Sequence, residues 1–407
     1  MFDVLVVGGR VAGSATAILL ARLGYRVALV DRDHHPSPAV STHVFGDWAA
    51  FGRLGVLDDP RLASAPALTR FRTEVEGCAT EADLLATPYA RALRREVLDP
   101  MLIEYAGKAG DVTWYEGARV AALLRDGDLV TGARVLVDGR PVELPARIVV
   151  GADGRNSTVA RAVGARAYLT RPRLRLAYYA YYTGVAGAAL PALEYYWHGS
   201  DVVIVAPCDG DLHCICVMPR DDDLTAWRAG HEDRFARVLA SIRTLAARLA
   251  GATRVGPVHG SGNLRSHLRE PAGPGWALVG DAGAAVHPCI GAGIDHAVFS
   301  AGLLADTVHR HLTGGESWTA VTADYRDARD ARIRPACESA VRLAGRGALT
   351  GADARWLQVL LGMPGSAHDL GSRAVDVLRT IAGDDAVARM AALIGAAGTP
   401  TRAEETP

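Results

Sequence analysis

The chain has 407 residues, 49% of them apolar and 22% charged, with a formal net charge of −1. That is an ordinary globular balance, and its length makes two or three domains or one large composite; near-neutral charge removes the electrostatic case for nucleic acid or an anionic membrane as a partner. Of 44 basic residues one, Lys108, is a lysine, so chemistry that needs a catalytic lysine must use Lys108 or be excluded.

The chain enters an apolar strand at once, residues 3–7 (DVLVV), with no basic stretch of a signal peptide before it. No uncharged apolar run reaches the roughly 18 residues that a membrane span needs. The six cysteines (Cys78, Cys208, Cys214, Cys216, Cys289 and Cys337) make no C-x-x-C pair and no disulfide framework. A soluble, reducing, cytoplasmic setting is expected.

After the strand come Gly8-Gly9-Arg10-Val11-Ala12-Gly13, a helix predicted over Ser14–Leu23, a stop at Gly24, a strand over Tyr25–Val30, and Asp31-Arg32. This matches the dinucleotide fingerprint in context. Gly8 permits the tight turn, and Gly13 lets helix and strand pack closely. The helix N-terminus offers free N–H groups and a positive dipole end to a pyrophosphate. Asp31, at the tip of the second strand, can accept both ribose hydroxyls. The middle glycine is replaced by Arg10, whose side chain either turns outward or lies beside the phosphates.

Residues 147–154 (RIVVGADG) form another buried strand, leading to Asp153-Gly154. Residues 173–185, 193–206 and 212–218 read as strands of an antiparallel sheet, with a hairpin turning at His198–Asp201. Residues 223–250 are helical in pattern, and Val255–Leu268 leads back. A third strand, 276–281 (WALVGD), ends at Gly280-Asp281; His287-Pro288-Cys289-Ile290 and Gly291-Ala292-Gly293-Ile294 follow, opening a helix over Asp295–Leu312. That glycine-rich loop at a helix N-terminus suits a developing anion. Residues 350–396 are helical in pattern, and the tail from Gly398 is polar and expected to be disordered. The fold class is α/β: a discontinuous Rossmann-type domain (1–70, 95–165, 262–345), an inserted antiparallel sheet domain (71–94, 166–261), and C-terminal helices (346–396).

Taken together, these motifs resemble the FAD-dependent monooxygenases of the para-hydroxybenzoate-hydroxylase type (group A), with geranylgeranyl-reductase-like features. The likeness spans residues 1–345. It implies FAD held by Gly8, Arg10, Val11, Ala12, Gly13, Asp31 and Arg32. Thr42 of Ser41-Thr42-His43 would lie beside the isoalloxazine, with Arg95 of Arg95-Glu-Val-Leu-Asp99, Val120, Asp153, Gly280, Asp281, Pro288 and the Gly291, Ala292, Gly293, Ile294 loop completing the site. His43 and Tyr196 are the candidate catalytic side chains. Tyr178, Tyr182, Tyr196 and Trp197 are candidate cavity residues for an aromatic or apolar small molecule. In many relatives an Asp precedes the Pro of the third motif; here it is His287. The implied reaction uses NAD(P)H and O2 through a C4a-hydroperoxyflavin to hydroxylate or epoxidise an aromatic or polycyclic compound in secondary metabolism, by a monomer or homodimer.

Plainer roles are open to several of these residues. Asp153 also fits a turn cap, Arg95 a solvated charge run, and Cys289 an inert buried thiol. Cys208, His213, Cys214 and Cys216 fit no zinc spacing, so no metal is expected. A reductase without oxygen insertion is the alternative reaction. Halogenation needs a lysine beside the flavin tunnel and a W-x-W-x-I-P segment, which the sequence lacks; a prenyl-escort module is at odds with the intact motifs.

Overall fold

The computed structural model describes residues 1–349 apart from 85–86, 188–189, 221 and 223. The helical pattern read over 350–396, and the tail, lie outside the described residues.

The first apolar run becomes strand Phe2–Val7, at the centre of an eight-stranded sheet. It pairs in parallel with Val27–Val30 on one side and Arg140–Gly151 on the other. Trp276–Leu278 and Val112–Tyr115 extend the parallel set outward. Strands buried on both faces read as continuous apolar runs, and Val4, Leu5 and Val6 are fully buried. Parallel strands direct their C-terminal ends to one edge, so the loops after Val7, Gly151 and Leu278 gather there. The three motifs therefore meet by topology.

The first helix runs Val11–Arg22, three residues earlier than its apolar pattern suggests. Gly13 thus sits in its first turn, where N–H groups have no intrahelical acceptor. The helix lies between Arg95–Lys108 and Gly293–Leu312, and Trp318–Gly345 packs along the latter.

The second sheet has seven strands, in the order Thr253–Ser261, Ala177–Thr183, Leu212–Met218, Asp201–Pro207, Ala192–His198, Arg70–Val75, Cys78–Asp83. It is antiparallel except where Ala192–His198 runs parallel to Arg70–Val75. The turn at residues 199–200 lies within the expected hairpin. Two details differ from the sequence reading. The strand expected from Arg173 begins at Ala177, because Arg175 is buried and its guanidinium donates to the carbonyls of Ser200, Met218 and Arg346. The segment expected to lead back from Val255 is instead an edge strand of this sheet, paired with Ala177–Thr183.

Helices Leu224–Ser241 and Arg243–Leu249 cover one face of the sheet, packing Trp227, Phe235 and Leu245 against it. The other face packs on Val44, Ala284, Val286 and Cys289 of the cofactor-motif loops. No helix among the described residues is long and apolar enough to cross a membrane.

Candidate flavin and substrate site

The first loop is shaped by contacts only glycine allows. Gly8 has φ +111°, and a Cβ there would stand 2.4 Å from the Ala152 carbonyl oxygen. A Cβ on Gly13 would stand 1.7 Å from the Gly8 carbonyl oxygen. The helix N-terminus is thereby pressed onto the strand end, and the N–H groups of Val11, Ala12 and Gly13 lie at the sheet edge. The Asp31 carboxylate accepts from Gly9 N at 2.5 Å and Asp33 N at 2.9 Å. Burial raises its pKa, but the His35 side chain and these N–H groups outweigh that and hold it below the ordinary carboxylate value. Arg10 turns outward and donates to Asp33, Ser37 and the Pro38 carbonyl. Arg32 is 74% exposed beside Asp33, so its side chain is solvated. Val120 is buried among Val7, Ala28 and Val30, a packing position.

The second and third motifs are fastened to each other. Arg155, two residues beyond Asp153, reaches Asp281 Oδ2 at 3.1 Å and the carbonyls of Arg265 and Val286. Asp153 Oδ2 accepts from Thr158 N and Val159 N and so caps the helix Thr158–Ala162, while its buried Oδ1 has no partner. Gly280 has φ +58°, and a Cβ there would stand 2.7 Å from the Ala12 Cβ, bringing the third motif against the first helix.

His287 supplies a hydrogen-bond acceptor before Pro288. Its Nδ1 takes the Cys289 N–H at 3.3 Å and caps the short turn Pro288–Ile290. Burial pushes its pKa down to about 4, so the ring is neutral and works as a hydrogen-bonding cap without charge. Gly291 (φ +67°) then turns the chain into helix Gly293–Leu312. A Cβ on Gly293 would meet nothing within 4 Å, and one on Gly291 only Thr42 Oγ1 at 3.9 Å and Val44 Cβ at 4.0 Å. The backbone of this loop is open to a ligand and stands opposite Thr42.

The Thr42 segment is held from two sides. Val44–Phe45 pairs with Arg91–Ala92, and Asp295 accepts from Gly46 N and Asp47 N at 3.1 Å. Burial raises the Asp295 carboxyl to about 6. His43 is fully buried in the left-handed region at φ +65°, a strained conformation for a residue with a side chain. Its Nε2 lies 2.5 Å from the Tyr181 hydroxyl, which donates onward to Glu96 at 3.3 Å; Nδ1 has no partner. Burial first, then the charges of Arg95 and Arg94, push its pKa down to about 3. Arg95 makes a two-pronged pair with the fully buried Asp99 in its own helix.

Side-chain alternation divides the tyrosines. Tyr179, Tyr181, Tyr195 and Trp197 face the motif loops, and the Tyr195 hydroxyl donates to the Cys289 carbonyl. Tyr178 and Tyr196 lie on the opposite, helix-covered face, and Tyr182 packs against that group. This corrects the expectation for Tyr196, Tyr178 and Tyr182. The Tyr196 hydroxyl is engaged with Glu194, Arg72 and Arg248 behind the sheet and does not reach His43. Both faces are aromatic, so the period-two pattern alone did not reveal which one turned inward.

The residues fit FAD. The glycine contacts press a helix N-terminus to the sheet edge, Asp31 ends the second strand, the Gly291–Ile294 backbone is open, and a buried Asp153 oxygen lacks a donor.

Comparison with known proteins agrees. A family model described as an FAD binding domain matches residues 1–340. Two curated relatives are each 32% identical over 40% of this chain: the probable electron transfer flavoprotein-quinone oxidoreductase YdiS of Escherichia coli and the 6-methylpretetramide 4-monooxygenase of Streptomyces rimosus. The chain covers 39% and 40% of their respective lengths. Among solved structures, the myxobacterial chondrochloren halogenase CndH superposes with a TM-score of 0.78 at 21% identity, covering 98% of both chains. The chain belongs to the family whose model is described as an FAD binding domain.

Proposed function

We propose that this protein is an FAD-dependent monooxygenase that uses NAD(P)H and O2 to hydroxylate or epoxidise an aromatic or polycyclic small molecule. The observation that carries the reading is the juxtaposition of Thr42 and Gly291 beneath the aromatic sheet face, with neutral His43 between them and Tyr181.

FAD, when bound, supplies the hydride acceptor and the oxygen-activating centre. The chain supplies everything else. The N–H groups of Val11–Gly13 would bind the pyrophosphate, and Asp31 the ribose. Asp281, steadied by Arg155, would hold the sugar-like part of the chain between phosphate and ring. The Gly291 N–H is taken by the Pro288 carbonyl; the first N–H groups of helix Gly293–Leu312, at Gly293 and Ile294, would offer donors to negative charge at the pyrimidine end of the ring. Tyr179, Tyr195 and Trp197 exclude water from the face above. His43 holds its proton position through Tyr181.

Halogenation is disfavoured by the one lysine. Lys108 ends the 14-residue helix that Arg95 begins, which places it about 20 Å along the axis. It is 68% exposed and paired with Glu104. The quinone oxidoreductase relative supports the alternative, a redox reaction without oxygen insertion.

The test is NAD(P)H oxidation and oxygen uptake across phenolic, polyketide-like and indolic compounds, with and without bromide. Substrate-stimulated oxidation matched by oxygen uptake supports the proposal. Sustained anaerobic turnover supports the reductase, and a bromide-dependent product the halogenase.

A further inference from the structure

Two features of this chain have no part in the chemistry proposed so far: Arg10 in the middle glycine position of the first loop, and the doublet His34-His35 just after Asp31. They belong to one arrangement. Arg10 Nη2 donates to Asp33 Oδ2 at 3.3 Å, Ser37 Oγ at 3.1 Å and Pro38 O at 3.0 Å. From the other side, His35 N donates to Glu116 Oε1 at 2.8 Å. Segment 33–38 is therefore fastened at both flanks.

The fastening seats the His35 imidazole. Its side chain is 3% exposed, and its Nε2 lies 3.6 Å from Asp31 Oδ2. The ring sits 6.0 Å from that of Trp114. A separation of 3.6 Å puts the ring in electrostatic contact with Asp31 but is too long for a hydrogen bond, and neither Nδ1 nor Nε2 has a hydrogen-bond partner. An imidazole has two ring nitrogens, at least one of them an N–H donor. Burying both unmatched is unfavourable, and native structures rarely do it without a ligand.

Asp31 explains which ligand. Its carboxylate accepts hydrogen bonds and donates none. A sugar hydroxyl that donates to Asp31 still has lone pairs to satisfy, and these need a donor inside a closed site. The unmatched donor beside Asp31 is His35.

We propose that His35 is the donor half of the adenosine-ribose site and that Arg10 is a positioning residue for it, so that Asp31 and His35 together hold one ribose diol. The inference rests on FAD being the cofactor. Asp31 belongs to the fingerprint, whereas His35 lies outside its glycine and acidic positions and Arg10 stands in place of its middle glycine. A consequence runs against the fingerprint: restoring the glycine by Arg10→Gly weakens FAD binding, because segment 33–38 loses its anchor.

The experiment is calorimetric titration of the full-length apo-protein with FAD and with FMN, which lacks the adenosine. His35→Phe keeps an aromatic ring and removes both nitrogens. It is expected to raise the FAD dissociation constant about tenfold, the order of one lost buried hydrogen bond, and to leave FMN binding unchanged. Arg10→Gly shifts FAD binding in the same direction, and His35→Gln recovers part of it. His35→Phe binding FAD as tightly as the unaltered chain overturns the proposal. An equal loss for FAD and FMN, or a lowered apo-protein melting temperature accounting for it, also overturns it, since His35 would then only support the loop. An unaltered chain that takes up neither flavin removes the cofactor reading itself.

Discussion

His43 Nε2 lies 2.5 Å from the Tyr181 hydroxyl, and this bond joins the segment opposite the Gly291 loop to the inner face of the second sheet. Both partners are neutral: burial pushes the imidazole pKa down to about 3 and the phenol upward. With Nδ1 already unpartnered, Tyr181→Phe leaves the buried imidazole with no hydrogen bond at all. Urea unfolding should show a loss of about 1–3 kcal/mol, and turnover should fall by more than FAD affinity. Unchanged stability and turnover would contradict the role given to this pair.

Gly13→Ala places a methyl 1.7 Å from a backbone oxygen that cannot move without shifting the strand. A loss of about 3 kcal/mol is expected, together with loss of bound flavin. Gly315→Ala is the control: it lies in an open turn with φ +67° and nothing within 4 Å, so about 1 kcal/mol is expected and the flavin stays.

Asp281→Ala removes the carboxylate that Arg155 holds at 3.1 Å. The purified variant should be folded by circular dichroism and colourless. Full yellow occupancy would refute the assignment of Asp281 to the cofactor.

Burial holds His43 near a pKa of about 3 and His267, His287 and His296 near about 4. Unfolding restores each to about 6.5. Between these values the unfolded chain binds more protons, so this stability is fully present above about pH 6.5 and is lost as pH falls toward 4. Asp295 runs the other way, because burial raises its folded carboxyl to about 6; it releases a proton on unfolding between about pH 4 and 6. Near pH 5 the balance is an uptake of about three protons on unfolding, or about 4 kcal/mol per pH unit. Urea denaturation from pH 4.5 to 6.5 measures the slope, and Asp295→Asn should steepen it.

Lys108→Met should leave turnover unchanged and stability within about 0.5 kcal/mol, as for an exposed surface site.

The cofactor half of the molecule was legible because its signals are local. Gly8, Gly13, Asp31 and Gly280 announce turns and strand ends within a few residues of sequence, and parallel topology then brings the loops together. The substrate half was less legible. Tyr178 through Tyr182 give a strand, but facing depends on which neighbour covers each side, and helices Leu224–Ser241 and Arg243–Leu249 took Tyr178 and Tyr196. Tyr181, His35 and Asp295 were missed for a related reason: their partners, His43, Asp31 and the Gly46 and Asp47 amides, matter through pairings set by the fold. Asp153 does act as a cap through one of its oxygens, as its Asp-Gly pair suggests, and the other remains without a donor.

The central claim is oxygen insertion, and turnover under isotopically labelled O2 tests it most directly. With a compound that stimulates NAD(P)H oxidation, mass spectrometry of the product should show one labelled oxygen atom, and none when the label is supplied as water. A product formed in stoichiometric yield without label from O2 would contradict the account and leave a flavin reductase in its place.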